Sequence, residues 1–371
     1  MHSDALSLLT GIIHQFLLYG DFEEVYAFGS GHINDTFVSR WNQGGIKVRY
    51  IHQRINSRIF LRPDQVMDNI HRVTAHIEAK LKTAGITEPS RRTLTVVPAW
   101  DGKPWVRDEE CGWWRTYLFI ENTHAGEFAA TAEEAALLGK SVGCFQKQLA
   151  DLPPPRLYES IPNFHNMETR YHRFYDALGK DVLNRAAEVK NEIQFMEENK
   201  DRGLLLIHAL REGHIPERIC HNDTKMNNIL IDNESGEALC LADLDTVMPG
   251  TVLSDFGDLI RTVTAGAAED EQNLSRVDFD LVFFKALLMG YLEEAREFLT
   301  HEEKKLLPEA GRSMTQIMAL RFLTDYLEGD HYYHILRKTH NLDRCRNQIA
   351  LMKSMDSKWD KVIRICGEAG I

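Results

Sequence analysis

The sequence predicts a two-lobe α+β protein, and three observations carry that prediction. A chain of 371 residues is too long for one ordinary hydrophobic core, so two domains are expected. Its first third alternates short apolar runs with polar and glycine-rich turns, which is typical of a β-sheet. The part after Asp258 carries apolar residues at helical spacing. We therefore predict a sheet-containing N-terminal lobe over residues 1–121 and a mainly helical C-terminal lobe over residues 122–371.

Composition narrows the classes of partner. The net charge of −12 argues against nucleic acid or an anionic membrane, because binding to either requires a basic face. The six cysteines have no C-x-x-C or metal-ligand spacing, which indicates free thiols in a reducing compartment. The N-terminal segment lacks a basic n-region, and no apolar run is long enough to span a bilayer. We expect a cytoplasmic protein that is a monomer or a weak homodimer.

The N-terminal lobe begins with a predicted helix over residues 5–19, followed by strands at 25–28 and 36–38. The two strands are joined by a turn that contains Gly29, Ser30 and Gly31. Glycines let backbone N–H groups approach phosphate oxygens, because no Cβ is in the way. Taken alone, however, this pattern occurs more often in a plain hairpin.

The later elements are predicted from the period of the apolar residues and from helix-ending Gly and Pro. They are a strand at 48–55, a helix at 64–84, strands at 94–97 and 113–120, and helices at 131–151, 188–212, 279–298 and 300–324.

The stretch 219–259 carries the polar residues on which the functional prediction depends. It places Asn228 five residues after Asp223 and then continues into an apolar run. After a polar turn, a second apolar run ends on Asp243. Two short strands joined by such a turn predict a β-hairpin, which would bring Asp223 and Asn228 close to Asp243.

Phosphoryl transfer needs this set of groups. A carboxylate must accept the proton of the attacking hydroxyl, while an amide oxygen and a second carboxylate hold Mg²⁺ against the nucleotide phosphates. Asp223 suits the first role, and Asn228 and Asp243 suit the second. The pattern H-x-D-x-x-x-x-N is also compatible with a polar loop of solvated carboxylates, but the two following strands favour a kinase-like site.

The string Asp255-Phe256-Gly257 nearby spells the D-F-G motif of protein kinases. No strand leads directly into it, whereas Asp243 follows a strand at the right spacing. We therefore predict Asp243 as the metal ligand. Asp255 is predicted to order the catalytic loop by accepting backbone hydrogen bonds.

The phosphate-binding groups of the N-terminal lobe depart from the kinase pattern. With a catalytic motif downstream, the turn at Gly29 is predicted to cover the nucleotide. The strand at 48–55 should supply a lysine for the phosphates, but Gln53 stands at that position. We predict that Gln53 lies at the nucleotide and that the cation comes from Arg49, Arg54 or elsewhere.

The strings HNDTKMNNILID, LADLDTVMPGTVLSDFGDLIR and FGSGHINDTF resemble the aminoglycoside phosphotransferase superfamily, and most closely the bacterial N-acetylhexosamine 1-kinases. The later string RFLTDYLEGDHYY agrees with this resemblance, which extends over residues 26–342. It implies a protein-kinase-like fold. It also implies that ATP and Mg²⁺ are used to phosphorylate the anomeric hydroxyl of GlcNAc or GalNAc.

The resemblance further implies contacts to nucleotide and sugar. Phe119 and Ile120 become candidates for the hinge whose backbone pairs with adenine. Arg321 and Tyr332 correspond to sugar-contacting residues, and a guanidinium and a phenol are suitable partners for hydroxyls and an acetamido carbonyl. Residue types alone would predict only a helix with one solvated and one packed face around Arg321. They would likewise predict that His32 is a loop histidine exposed to solvent. The other candidate sugar contacts are His32, Asp243, Asp245 and Thr246.

Three other functions remain open. Another acceptor, such as an aminoglycoside, choline or homoserine, would use the same catalytic residues. The missing strand lysine also allows a non-catalytic pseudokinase that binds a sugar or a nucleotide. A metal hydrolase is the least favoured, because Asp223, Asn228 and Asp243 include no histidine ligand.

Overall fold

An antiparallel sheet forms the centre of the N-terminal half in the computed structural model, which describes residues 3–29, 33–126 and 129–371. Its strands are β1 (Asp21–Ala27), β2 (Asp35–Gln43), β3 (Ile46–Ile55), β4 (Val96–Val97), β5 (Val106–Asp108) and β6 (Gly112–Leu118). They are ordered β1-β2-β3-β6-β4, and β5 also pairs with β6. The register places Gln53 opposite both Thr36 on β2 and Arg115 on β6. Directly opposed residues share one face of a sheet, so these three side chains form a row.

The remaining strands are β7 (Thr123–His124), β8 (Arg218–Cys220), β9 (Ile229–Asp232), β10 (Ala238–Leu241) and β11 (Met248–Gly250). A small sheet has the order β10-β9-β7, and β8 pairs with β11. The predicted hairpin is confirmed as β9 and β10. Its turn is closed by Asp232, whose Oδ1 accepts the backbone N–H of Glu234 at 3.0 Å and of Ser235 at 2.8 Å.

The helices are α1 (Ser3–Ile13), α2 (Pro63–Thr83), α3 (Pro89–Arg92), α4 (Ala132–Leu149), α5 (Met167–Lys180), α6 (Lys190–Glu198), α7 (Lys200–Gly203), α8 (Leu205–Arg211), α9 (Val252–Val263), α10 (Leu281–Ala295), α11 (His301–Glu328), α12 (His340–Ser357) and α13 (Trp359–Glu368). No helix in the described part of the chain is both long and apolar enough to cross a membrane.

Contacts divide the chain into two units that interleave along the sequence. The first comprises Met1–His124, Asp151–Pro162 and Leu230–Met248. The second comprises Ala125–Ala150, Asn163–Ile229 and Pro249–Ile371. The first unit contains the main sheet and the second is mainly helical, so the predicted α+β, kinase-like class is confirmed. The first unit also includes two later segments, Asp151–Pro162 and Leu230–Met248. The prediction of continuous lobes over residues 1–121 and 122–371 placed both of them in the second lobe.

Two of the predicted helices end or break well inside their predicted bounds. The prediction of one helix over 5–19 was wrong at its end, because Phe16 leaves α1 to form a β-bridge with Ala99. The prediction of one helix over 188–212 was wrong, because three helices occupy that segment. At the first break, Asn199 Nδ2 donates to the Phe195 carbonyl at 2.8 Å, and the Asn199 carbonyl accepts from Gln316 of α11 at 2.9 Å.

Candidate active site

The loop of residues 221–224 is fixed by a buried carboxylate on α9. Asp255 accepts the backbone N–H of His221 at 3.0 Å and of Asn222 at 2.7 Å. Thr224 Oγ1 donates to the Asp255 carbonyl at 2.7 Å. Gln146 Nε2 donates to the same carboxylate at 3.0 Å. The predicted ordering role of Asp255 is confirmed, and a rigid loop of this kind can present a catalytic side chain in one orientation.

The structure brings Asp223 and Asn228 together on this loop. Asn228 Nδ2 donates to the Asp223 carbonyl at 2.8 Å and to Asp223 Oδ2 at 3.2 Å. The Asp223 side chain is 28% exposed and can therefore be reached by a small molecule. Lys225 Nζ lies 2.9 Å from Asp223 Oδ1. We did not predict this lysine as a site residue, although it stands only two positions after Asp223.

Lys225 determines the charge state of the candidate base. Burial raises the pKa of Asp223, but Lys225, His221 and Asn228 together lower it by more, so the pKa lies below its ordinary value. Asp223 is therefore a carboxylate at neutral pH and can accept a hydrogen bond from a hydroxyl group.

The oxygens that could hold a divalent ion fit Mg²⁺. The amide nitrogen of Asn228 is bound to Asp223, which leaves its amide oxygen as the atom available to an ion. Asp243 is exposed and has a left-handed φ of 56°. No group of three or more His, Cys, Asp or Glu side chains within residues 3–29, 33–126 and 129–371 is arranged for a metal. Mg²⁺ in kinases needs only one or two protein oxygens besides phosphates and water. A shared ion on Asn228 and Asp243 stays a prediction.

Asp245 and Thr246 lie in a buried turn of the first unit directly after Asp243. Asp245 is 3% exposed and Thr246 is 8% exposed. One carboxylate oxygen of Asp245 is ion-paired with Arg115, and the other accepts from Asn34 Nδ2 at 2.6 Å. The turn therefore has a fixed shape, and sugar contacts by Asp245 and Thr246 stay predictions.

Arg115 is the cation beside Gln53, and we did not predict it. Its Nε donates to Gln53 Oε1 at 2.9 Å. Burial lowers the pKa of Arg115, but Asp245, Tyr117 and Asp243 together raise it by more, so the guanidinium stays charged. The two cations that we named have other partners, since Arg49 pairs with Glu121 and Arg54 pairs with Asp35. The strand register is the signal for Arg115, and it is not visible in the sequence.

The predicted hinge lies at the end of β6. The Phe119 N–H donates to the Arg49 carbonyl at 3.0 Å, and the Arg49 guanidinium lies 3.8 Å from the centre of the Phe119 ring. The Ile120 carbonyl accepts from Thr123 Oγ1 at 2.9 Å. A nucleotide contact at this hinge would therefore use the Phe119 carbonyl or the Ile120 N–H. That contact stays a prediction. Gly29 has a φ of +75°, as a glycine-dependent turn requires. The predicted contacts Ser30, Gly31 and His32 lie outside the described residues.

Arg321 and Tyr332 are brought together by the end of α11. That helix ends at Gly329, which has a left-handed φ of 105° and turns the chain back. The Asp325 carboxylate then accepts the backbone N–H groups of the next segment, at 3.0 Å from His331, 2.8 Å from Tyr332 and 3.0 Å from Tyr333. As a result, the Arg321 guanidinium lies 5.7 Å from the centre of the Tyr332 ring. Asp325 is a further residue that the sequence analysis missed.

These side chains belong to a positively charged cavity of the second unit. It is lined by Arg170, Arg173, Arg321, Thr324, Asp325, Tyr332 and Tyr333. Burial and the charge of Arg321 lower the pKa of Arg170 to about 10. Arg173 pairs with Glu328, but among the described residues neither Arg170 nor Arg321 forms an ion pair with a carboxylate. The cavity is small, about 20 Å³, and its charge favours a neutral or anionic ligand over a cation.

His165 connects the Arg321 side of this unit to the catalytic loop. Its Nε2 lies 3.0 Å from the Asn222 carbonyl. Burial and then the Arg321 charge lower the pKa of His165 to about 3, so the ring is neutral at pH 7. A neutral ring that donates from Nε2 to Asn222 holds the residue next to Asp223.

An ionised aspartate on an ordered loop, followed five residues later by an asparagine and then by a β-hairpin, is the arrangement of kinase-like phosphotransferases. A model of the phosphotransferase enzyme family matches residues 24–287. The chain belongs to that family.

Solved structures of the same fold cover nearly the whole chain. An aminoglycoside phosphotransferase from Alicyclobacillus acidocaldarius has a TM-score of 0.60 at 13% identity, over 97% of this chain and 96% of that one. The spectinomycin phosphotransferase APH(9)-Ia, in complex with ADP and spectinomycin, has a TM-score of 0.55 at 14% identity, over 98% and 96%. An ethanolamine kinase from Plasmodium vivax has a TM-score of 0.55 at 12% identity, over 93% and 85%. At these identities the likeness shows the fold.

Proposed function

We propose that this phosphotransferase is an ATP-dependent small-molecule kinase that phosphorylates the anomeric 1-hydroxyl of N-acetylhexosamines, GlcNAc or GalNAc. The observation that carries the proposal is the cavity at Arg321 and Tyr332. It belongs to the same unit as Asp223, and His165 links that unit's Arg321 region to the loop before Asp223.

In the proposed reaction Asp223 orients the sugar hydroxyl and accepts its proton. The O1 atom forms a bond to the γ-phosphorus of ATP, and the bond from that phosphorus to the β,γ-bridging oxygen breaks to release ADP. An anomeric hydroxyl is more acidic than an ordinary alcohol, so a carboxylate with a low pKa is a sufficient base.

The nucleotide roles follow the same assignment. Mg²⁺, held by Asn228 and Asp243, would neutralise charge on the phosphates. The residues proposed to bind ATP are Gly29, Ser30, Gly31, Gln53, Phe119 and Ile120. The solved relative in complex with ADP supports nucleotide use in this fold.

The charge of the cavity supports a sugar acceptor over the cationic acceptors of similar proteins. Aminoglycosides and ethanolamine are cations at neutral pH, and Arg170 and Arg321 would repel them. An acetamido carbonyl accepts hydrogen bonds from a guanidinium, and sugar rings pack on aromatic side chains such as Tyr332. His32, Asp243, Asp245 and Thr246 are the further sugar contacts in this proposal.

The proposal is tested by ADP release with a panel of acceptors: GlcNAc, GalNAc, glucose, galactose, kanamycin and ethanolamine. We expect turnover with GlcNAc or GalNAc, at a kcat/KM at least tenfold above that with glucose, and loss of the reducing end in the product. Turnover with kanamycin or ethanolamine alone would show a different acceptor. Failure with every acceptor would favour a binding protein, as the missing strand lysine allows.

A further inference from the structure

A row of polar side chains crosses the main sheet and ends at the turn after Asp243. Gln53 Nε2 donates to Thr36 Oγ1 at 3.1 Å, and Arg115 Nε donates to Gln53 Oε1 at 2.9 Å. Arg115 then forms an ion pair with Asp245. The Arg115 and Asp245 side chains are only 1% and 4% exposed. The pair therefore lies in the interior of the first unit.

Stability alone does not explain such a pair. Removing two charges from water is costly, and apolar residues of similar volume often stabilise a fold equally well. A buried ion pair with additional hydrogen bonds does, however, allow few alternative geometries. The geometry that this pair fixes is that of the turn 243–247, which begins with the exposed carboxylate of Asp243.

The same turn is held from a second side by α2. Asn69 is fully buried, and its Nδ2 donates to the Val247 carbonyl at 3.0 Å and to the Tyr158 carbonyl at 2.8 Å. In kinases a glutamate of the corresponding helix pairs with the strand lysine. Here Glu78 pairs instead with Lys82, 2.8 Å away on the surface of the same helix. Asn69 of α2 and Arg115 of β6 therefore hold this turn, and the lysine–glutamate pair of kinases is not formed by Gln53 and Glu78.

Asp245 also connects this turn to the chain that follows the glycine-containing turn at Gly29. Asn34 Nδ2 donates to Asp245 Oδ2 at 2.6 Å. Asn34 Oδ1 accepts the backbone N–H of Asn56 at 3.0 Å. One carboxylate thus fixes both the turn after Asp243 and the start of β2.

We propose that Arg115 is a positioning residue that, through Asp245, holds Asp243 in the orientation needed to bind the nucleotide-associated divalent ion. Arg115 lies on the strand next to Gln53, and because it is buried against Asp245 its role differs from that of a phosphate-binding lysine. This inference rests on the proposed function for the role of Asp243. It does not depend on the identity of the acceptor.

The test measures Mn²⁺ binding in the presence of a non-hydrolysable ATP analogue and without an acceptor, by electron paramagnetic resonance of free Mn²⁺. The variants are Arg115→Lys and Arg115→Met. Lysine keeps the charge but cannot bond both Gln53 and Asp245 in the fork geometry of arginine. We expect the Kd for Mn²⁺ to rise about tenfold for Arg115→Lys and more for Arg115→Met.

The matched control is Arg40→Lys, which alters an ion pair between β2 and β1 of the same unit, where the Arg40 guanidinium lies 2.5 Å from the Glu24 carboxylate. It should leave Mn²⁺ binding unchanged. Asp245→Asn supplies a second perturbation of the pair if Arg115→Met does not fold, because Asp245 is not among the residues proposed to bind ATP, and we expect a Kd increase of several-fold. Folded Arg115→Lys and Asp245→Asn proteins with wild-type Mn²⁺ affinity would overturn the proposal, including when their Tm is lower. Because no acceptor is present, a wrong sugar assignment leaves this result interpretable.

Discussion

Asp223 and Lys225 form an ion pair that stabilises the charged form of the carboxylate. The carboxylate is partly buried, which by itself would raise its pKa. The ammonium 2.9 Å away, together with His221 and Asn228, lowers the pKa below its ordinary value. A group whose pKa lies below its ordinary value stays charged as the pH falls, and becomes protonated only below that depressed pKa. Asp223, the proposed base, is therefore a carboxylate throughout the neutral range.

Replacing Lys225 by methionine should move the acid limb of the pH–rate profile. Without the ammonium, the remaining effect of burial raises the pKa of Asp223, so protonation inactivates the variant at higher pH than wild type. The measurement is kcat/KM against pH, and the expected shift of the acid limb is upward. Lys361→Met, at an exposed lysine of α13, is the control and should keep the wild-type profile. An unshifted limb in Lys225→Met would show that this lysine does not set the charge of the base.

Single residues were predictable where they lie in one string. Asp223, Asn228 and Asp255 are close in the sequence, and their spacing was enough to predict their roles in a kinase-like site. Arg115 is 62 positions from Gln53 and 130 from Asp245, so only strand register brings the three together. Asp325 was missed for a related reason, because its partners are backbone N–H groups and leave no mark on residue type.

At the scale of elements, the second unit depends on close contact between α4 and α10. A Cβ at Gly290 would lie 1.9 Å from the Ala136 carbonyl oxygen, and one at Gly139 would lie 2.1 Å from the Leu287 carbonyl oxygen. Both neighbours are backbone atoms of the facing helix, so neither can move without a shift of that helix. The two glycines let the helix axes approach closely.

Gly290→Ala should therefore destabilise the protein by about 3 kcal/mol or more, as expected for overpacking against backbone. The free energy of unfolding from denaturant titration measures the effect. The control is Gly179→Ala on α5, where a new Cβ meets no atom within 4 Å. That change should be neutral or stabilise by up to about 1 kcal/mol, since alanine favours helix. Equal stabilities of the two variants would contradict the close packing of α4 and α10.

The predicted elements agree with the structure where the apolar residues keep one regular spacing along the whole element. The helix α2 lies within one residue of its predicted bounds, because Pro63 begins it and its apolar face is continuous. The hairpin of β9 and β10 was predictable from two apolar runs and a turn. Between residues 188 and 212 the apolar period continues across the break at Asn199, whose carbonyl is drawn to Gln316 of another helix. Such tertiary hydrogen bonds cannot be read from local pattern.

At the scale of the whole molecule, each of the two units of this acidic chain contains arginines that are buried or line a cavity. The net charge is −12, yet Arg115 is buried beside Asp245, and Arg170 and Arg321 line a cavity without a carboxylate partner among the described residues. The family match ends at residue 287, before Arg321 and Tyr332. Arg321 and Tyr332, the two cavity residues proposed to bind the sugar, thus lie beyond the matched part.

The central claim is that the whole chain transfers phosphoryl groups with Asp223 as its base, and Asp223→Asn tests it most directly. Asparagine keeps the shape and can still meet Asn228, but it cannot accept the proton. The measurement is kcat for ADP formation with the best acceptor, alongside the Kd for an ATP analogue. We predict that kcat falls about 10³-fold while the Kd changes less than threefold. Near-normal kcat in a folded Asp223→Asn protein would contradict the account.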